Sequence, residues 1–253
     1  MNNPKSIVII PARMGSTRFP GKPLAKINGI PMIEHVYKRA CMIKKTDLVC
    51  VATCDDEIYD FILSIGGLSV MTSDKHERAT ERTAEALEVI SKDKNEQFDI
   101  VVMIQGDEPM FNHHDIDNLV SAMSEDDKLN IINLMNMASD EDDFIDPNNV
   151  KVVVDNNNNA LYYSREPIPS NWKDKHKDKM LIQTGLIAFR ADYLKKFIEM
   201  EPSPLEEVES CDMLRVIENG DIVRMMLSET RSIGVDSPED LKVAEQIMKK
   251  NKY

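Results

Sequence analysis

The chain has 253 residues, 42% of them apolar and 30% charged, with a formal net charge of −13 at pH 7. That length suits one large α/β core better than two separate ones, the acidic balance argues against nucleic acid as a partner, and no apolar run approaches a membrane span. The start Met1-Asn2-Asn3-Pro4-Lys5 holds no apolar signal-peptide core, so a cytoplasmic protein is expected, and Cys41, Cys50, Cys54 and Cys211 lack metal-ligand spacing, so reduced thiols are expected.

Residues 7–10, Ile-Val-Ile-Ile, are continuously apolar and largely β-branched, the pattern of a strand buried on both faces in a parallel sheet. Pro11, Ala12, Gly15, Ser16, Thr17, Pro20, Gly21 and Pro23 then break the strand and let a ligand approach the backbone. Arg13, Arg18 and Lys22 are thereby placed on a loop leaving the carboxyl end of a strand, where open α/β sheets bind ligands. Two readings stand: an ordinary basic surface loop, or a polyphosphate site of backbone N–H groups and cationic side chains. Neither GxxxxGK[ST] nor GxGxxG is present.

Residues 31–44 place Met32, Ile33, Val36, Tyr37, Ala40 and Ile43 near a 3.6 period and predict a helix. A strand over Leu48–Thr53 follows, then Asp55-Asp56-Glu57 at a helix start, Gly66-Gly67 at its end, and a short strand over 68–71. This strand–helix–strand order predicts right-handed crossovers and a parallel sheet. In residues 72–82, Arg78 and Arg82 would share a face of a helix beginning near Ala79, either pairing with Glu77, Glu81 and Glu85 in solvent or facing a ligand. A strand over 98–104 ends in Gln105-Gly106-Asp107-Glu108-Pro109, where Asp107 is either a turn or cap residue or an acid within reach of a metal beside a polyphosphate.

A helix over 115–123 and a strand over 130–135 come next, while the acidic runs 124–128 and 139–143 read as solvated loops and helix ends. Residues 150–154 and 160–165, joined by Asn156-Asn157-Asn158-Asn159, predict an antiparallel pair added to the parallel sheet. A helix opening at Pro202-Ser203-Pro204-Leu205-Glu206 buries Val208, Cys211, Leu214 and Ile217 and stops at Asn219-Gly220, with Glu206, Glu209, Asp212 and Arg215 on a different, largely solvated face. The last strands are expected over 222–227 and 232–235. Ser237 then caps the final helix and leaves Asp236 free at the strand end.

The string from Ile10 to Leu24 resembles the IPAR-x-x-STR-x-PGKPL signature of 3-deoxy-manno-octulosonate (Kdo) cytidylyltransferases. Thr80-Glu81-Arg82, the QGDEP run at 105–109, the VKVV and ALYYSR strands, Gly185 and Arg190, the SPLE run at 203–206 and Gly234-Val235-Asp236-Ser237-Pro238-Glu239-Asp240-Leu241 extend the resemblance from Ile7 to about Ile247. It implies a mostly parallel, Rossmann-like nucleotidyltransferase sheet in a three-layer αβα arrangement with an antiparallel extension. It also implies one domain over 1–253, with an antiparallel dimerisation region around 150–200, in a homodimer. The implied reaction is transfer of CMP from CTP to an acidic sugar, Kdo first, for lipopolysaccharide or capsule synthesis. Asp107 and Asp236 are implied as Mg²⁺ ligands, and Arg13 and Lys22 as the phosphate cations, with Pro11, Ala12, Ser16 and Thr80 beside the nucleotide. Arg82, Gln105, Arg165, Gln183, Arg78 and one of Glu206 or Glu209 are implied at the acceptor. The chain departs from the family pattern at Arg78-Ala79 (for Ser-Gly), Gln183 (for His) and Leu186-Ile187 (for Ile-Tyr). The same transfer to a modified Kdo or another carboxylated or phosphorylated acceptor is the alternative reading, and a non-catalytic nucleotide-binding protein the remaining one.

Overall fold

A computed structural model of the chain describes residues 4–16, 18–172, 179–230, 232 and 234–251. Strand β1 (Ser6–Pro11) is buried at every position and runs parallel to both neighbours, β4 (Leu48–Thr53) and β6 (Ile100–Ile104). Its side chains alternate between two cores, as the period of a strand requires. Ile7 and Ile9 join one core, and Val8 and Ile10 the other. Helices α1 (Met32–Ala40), α2 (Asp56–Ser64) and α4 (His113–Glu125) cover the second core. Helices α3 (Ala79–Lys94), α6 (Ala191–Glu199) and α8 (Met213–Glu218) cover the first. The expected three layers result. Among the described residues, no helix is long and apolar enough to cross a membrane.

Strand β5 (Ser69–Met71) extends the parallel half, and β7 (Ile131–Met137) pairs in parallel with β11 (Arg224–Leu227) at the other edge. Between the halves, β10 (Leu181–Arg190) runs antiparallel to β6 on one side and β7 on the other. The sheet order is therefore β11-β7-β10-β6-β1-β4-β5. The predicted antiparallel pair is β8 (Lys151–Val154) and β9 (Ala160–Ser164), attached to β10 through Ile182 and Lys151. A short helix, α5 (Glu141–Ile145), precedes that pair.

Several boundaries differ from expectation. The helix predicted to Lys44 ends at Ala40. Two-residue strands β2 (Lys26–Ile27) and β3 (Ile30–Pro31) form a hairpin whose turn, Asn28-Gly29, has positive φ at both positions, 51° and 86°. An Asn-Gly pair between apolar residues is a hairpin signal that the periodicity reading passed over. The single helix expected from Pro204 onward is two helices, α7 (Pro204–Glu209) and α8, because Ser210 adopts φ 51° and turns the chain. Val208, predicted in the core, is 79% exposed. The strand expected over 222–227 begins at Arg224, leaving Ile222 exposed. Residues 232, 234 and 235 form no strand, and Ile233, like Thr17, lies outside the described residues. The last helix, α9 (Pro238–Asn251), starts as expected: the Ser237 Oγ accepts the Asp240 N–H at 3.2 Å, and the Asp240 carboxylate accepts the Ser237 N–H at 2.8 Å.

Candidate active site

The carboxyl ends of β1 and β6 open into a cleft of about 830 Å³. Pro11, Ala12, Arg13 and Ser16 line it from the loop after β1, which is anchored by hydrogen bonds from Met14 N–H to Asp55 (2.8 Å) and from Ala12 N–H to Ala52 O (2.9 Å). Gly106 lets this loop pack closely, since a Cβ there would meet Pro11 O at 3.2 Å and Ala12 Cβ at 3.3 Å, tighter than most such contacts. Gly21 turns the chain with φ 73° into a short 3₁₀ turn, Lys22–Leu24, which aims Lys22 at the floor of the cleft.

There the Lys22 ammonium lies 2.6 Å from an Asp107 carboxylate oxygen and 3.0 Å from one of Asp236. Arg18 adds a contact of 3.1 Å to Asp236. Burial opposes the charge on Lys22, but the two aspartates outweigh it and hold its pKa above the ordinary 10.5. Val235 N–H donates to Asp107 O at 2.9 Å, bringing the segment before α9 against the end of β6. A single monovalent cation thus sits between two acids from opposite halves of the chain. Neighbouring Glu108 is buried and accepts hydrogen bonds from Gly185 N–H (3.1 Å) and the Ser232 hydroxyl. Burial pushes its pKa up, with Asp107 and Asp236 adding to the effect.

The opposite wall is cationic. Arg82 is only 3% exposed. Its Nη1 donates to Thr72 Oγ1 (2.5 Å) and Ser73 O (3.2 Å), while its buried Nη2 has no partner among the described residues. A buried donor without an acceptor is expensive, and Arg82 lines the cleft. Arg78 reaches Ser210 Oγ at 3.3 Å and approaches Glu206 at 3.9 Å. Arg165 lines the cleft with its Nε donating to Glu209 O and its Nη1 to Pro147 O, both at 2.8 Å. Gln183 and Gln105 complete this side.

Residues 7–230 match the family model described as cytidylyltransferase. A 3-deoxy-manno-octulosonate cytidylyltransferase from Thermodesulfovibrio yellowstonii is 42% identical over 250 residues, 96% of this chain and 98% of the relative. The chain belongs to the 3-deoxy-manno-octulosonate cytidylyltransferase family. Another member, from Parabacteroides distasonis, is 41% identical over 251 residues, 95% of this chain and 96% of its own length. The solved structure of a CMP:2-keto-3-deoxy-manno-octonic acid synthetase complexed with CTP is 35% identical, covers 98% of this chain and 99% of its own, and superposes with a TM-score of 0.88.

Three residues assigned from the family motifs do not line the cleft of this cytidylyltransferase. Thr80 is buried and donates to Asp212 at 2.9 Å. Glu206 pairs with Arg215 through two contacts of 2.7 Å, both side chains buried, so these two charges are not the solvated surface that the sequence predicts. Glu209 accepts from Ser164 Oγ (2.9 Å) and Arg165 N–H (2.8 Å) and so holds a neighbouring wall together. The acid that does reach the cleft from this segment is Asp212, which sequence reasoning counted only among the solvated charges. Burial raises its pKa, opposed by the Thr80 hydrogen bond and by Arg78. The break at Ser210 rotates Asp212 away from the helical face it was assigned to, and no periodicity signals that break. The solvent pairing considered for Arg78 and Arg82 is likewise absent: Glu81 accepts the Glu77 and Arg78 N–H groups, and Glu85 accepts the Ser73 N–H and pairs with His76.

Proposed function

We propose that this protein transfers CMP from CTP to an acidic sugar, Kdo first, releasing pyrophosphate. The observation that carries the reading is the polarity of the cleft. One end gathers Lys22 and Arg18 around Asp107 and Asp236, Arg13 lines the cleft with its Nη1 3.4 Å from His76 O, and the other end carries Arg82, whose Nη2 has no partner among the described residues. A triphosphate suits the first end and a carboxylate the second.

The residues at the floor suit Mg²⁺, which takes one or two carboxylates and completes its shell with water and phosphate oxygens. Asp107 and Asp236 already share one cation, and among the described residues no group of three or more potential ligands could hold a metal unaided. Bound there, the ion would neutralise charge on the phosphates. Lys22 and Arg13 contribute the same neutralisation from the loop after β1, aided by its backbone N–H groups. Arg82 and Arg165 orient the acceptor so that one of its hydroxyl groups attacks the α-phosphorus in line as pyrophosphate leaves, and positioning supplies much of the acceleration. Nothing in this scheme calls for a covalent enzyme intermediate.

The acceptor wall carries this chain's departures from the family pattern. Gln183 and Ile187 line the cleft, whereas Leu186 packs in the opposite core and Arg78 spends part of its charge on Glu206. A modified Kdo or another acid therefore remains the second reading of the acceptor. A homodimer formed through the 150–200 region and a cytoplasmic role in lipopolysaccharide or capsule synthesis, both carried over from the family resemblance, complete the reading. The test measures pyrophosphate release from each nucleoside triphosphate against a panel of acidic sugars, with and without chelator. CTP and Kdo are expected to give the highest kcat/KM and chelator to abolish it. Equal use of all triphosphates, or full activity in chelator, overturns the reading.

A further inference from the structure

Lys151 has no part in the chemistry above, yet its side chain is 0% exposed. Its ammonium donates to three backbone carbonyls, those of Asp146 (3.0 Å), Asn149 (2.7 Å) and Arg165. Three acceptors use every N–H the group has. Those carbonyls belong to two separate stretches, the loop between α5 and β8 and the residue after β9, and both stretches line the cleft. Desolvation pushes the Lys151 pKa down, with Asp146 and Glu166 opposing the shift. A buried charge held by carbonyls alone is a costly way to fill a strand position that an apolar side chain could occupy. What it provides is a single arrangement of the backbone around it.

The consequence falls on Arg165. With its own carbonyl tied to Lys151, its Nη1 returns to Pro147 O within the same clamped loop, and its Nε donates to Glu209 O. The loop also reaches the floor, since Asn148 Oδ1 accepts from Arg18 Nη1 at 2.7 Å; that contact is exposed and therefore weaker. We propose that Lys151 is a positioning residue whose buried ammonium fixes Arg165 and residues 146–149 as the acceptor wall of the cleft. This role rests on the functional reading above, in which Arg165 meets the acidic sugar.

The test is a double-mutant cycle in steady-state kinetics with Lys151→Met, Arg165→Met and the pair. Lys151→Met is expected to raise KM for the acceptor at least tenfold and to change KM for CTP less than threefold. Because Lys151 acts through Arg165, adding it to Arg165→Met should change the acceptor KM by less than twofold. Additive effects, or a lowered melting temperature with both KM values unchanged, overturn the proposal. Lys151→Gln, which keeps an amide donor on a shorter stem, carries the same cycle if the methionine variant does not fold. Amide hydrogen exchange without acceptor supplies a measurement independent of turnover: exchange at Asn148, Asn149 and Arg165 should quicken at least fivefold in Lys151→Gln relative to the unaltered protein, and unchanged exchange there overturns the proposal. Turnover of Kdo by the unaltered protein separates the two levels: turnover with additive variants refutes only the Lys151 role, whereas no turnover of any acidic sugar refutes the functional reading and this role with it.

Discussion

Glu206→Leu discriminates between two roles for the same residue. The family motif places either this carboxylate or that of Glu209 at the acceptor, whereas the structure buries Glu206 to 1% exposure against Arg215, with Nε and Nη2 each 2.7 Å from a carboxylate oxygen. Arg215 is itself buried, and its Nη1 is committed to Met200 O at 2.9 Å, so the freed guanidinium face has no route to water. Removing one partner of such a pair leaves an uncompensated buried charge and costs about 3–5 kcal/mol. Unfolding entropy scales with length, so a chain of this size gains roughly 0.5 kcal/mol per degree near its midpoint, and the melting temperature should fall by about 6–10 °C. Glu206→Gln keeps one accepting oxygen and should fall by roughly half as much. Calorimetry at pH 7 measures the shift, and acceptor KM on the same preparations measures function. A fall below about 2 °C accompanied by a tenfold rise in acceptor KM would refute the structural assignment and restore the one drawn from the motif.

Gly185→Ala places a Cβ 2.8 Å from Cγ and Cδ of Gln105 and 3.0 Å from its Cβ, so the root of that side chain and the end of β6 must give way; acceptor KM should rise severalfold and the melting temperature should fall by about 2–6 °C, the range that overpacking costs imply, and an unchanged melting temperature would refute the contact. Asp107→Asn and Asp236→Asn should each lower kcat at least a hundredfold while circular dichroism stays native, and retention of full activity by either would remove it from the proposed chemistry. Asp221 accepts from Tyr193 Oη (2.7 Å) and Lys196 (2.8 Å), which hold its carboxyl below the ordinary 3.8. A depressed carboxylate stabilises the fold above its unfolded-state value, and that contribution is lost as pH falls through the folded-state value. Asp221→Asn should therefore cost about 1 kcal/mol by urea unfolding at pH 7, and the gap should narrow below pH 4; a gap that does not depend on pH would refute the linkage.

The parallel half of the sheet was legible because β1, β4 and β6 are short apolar runs closed by turn residues, and such runs depend little on distant contacts. Lys22 and Asp107 were legible as candidates because each lies on a turn-rich segment that closes a buried strand, whereas Asp236 was singled out by the family motif, residues 232, 234 and 235 before it forming no strand. Their convergence on one ammonium was not, because contacts across 85 and 214 residues leave no local trace. The acceptor wall was the least legible part. Whether Glu206, Glu209 or Asp212 reaches the cleft turns on one left-handed residue, Ser210, and a serine carries no strong preference for that conformation. Lys151 read as one polar position in a strand, and only the fold brings it the three carbonyls.

The direction of β10 has a consequence for how acceptor preference could change. This strand enters the sheet at the cleft and runs away from it, and Gln183, Gly185 and Ile187 line the cleft from a backbone that pairs with β7 at Gln183 and Ile187, with a bulge between them, and with β6 from Leu186 onward. Most of the remaining wall comes from connecting segments, which tolerate insertion and drift. A strand held between two others cannot drift in that way. Exchanging side chains at 183 and 187, the two positions paired to β7, therefore alters the shape and hydrogen bonding of the cleft where its backbone is held, at a distance from the Lys22 end.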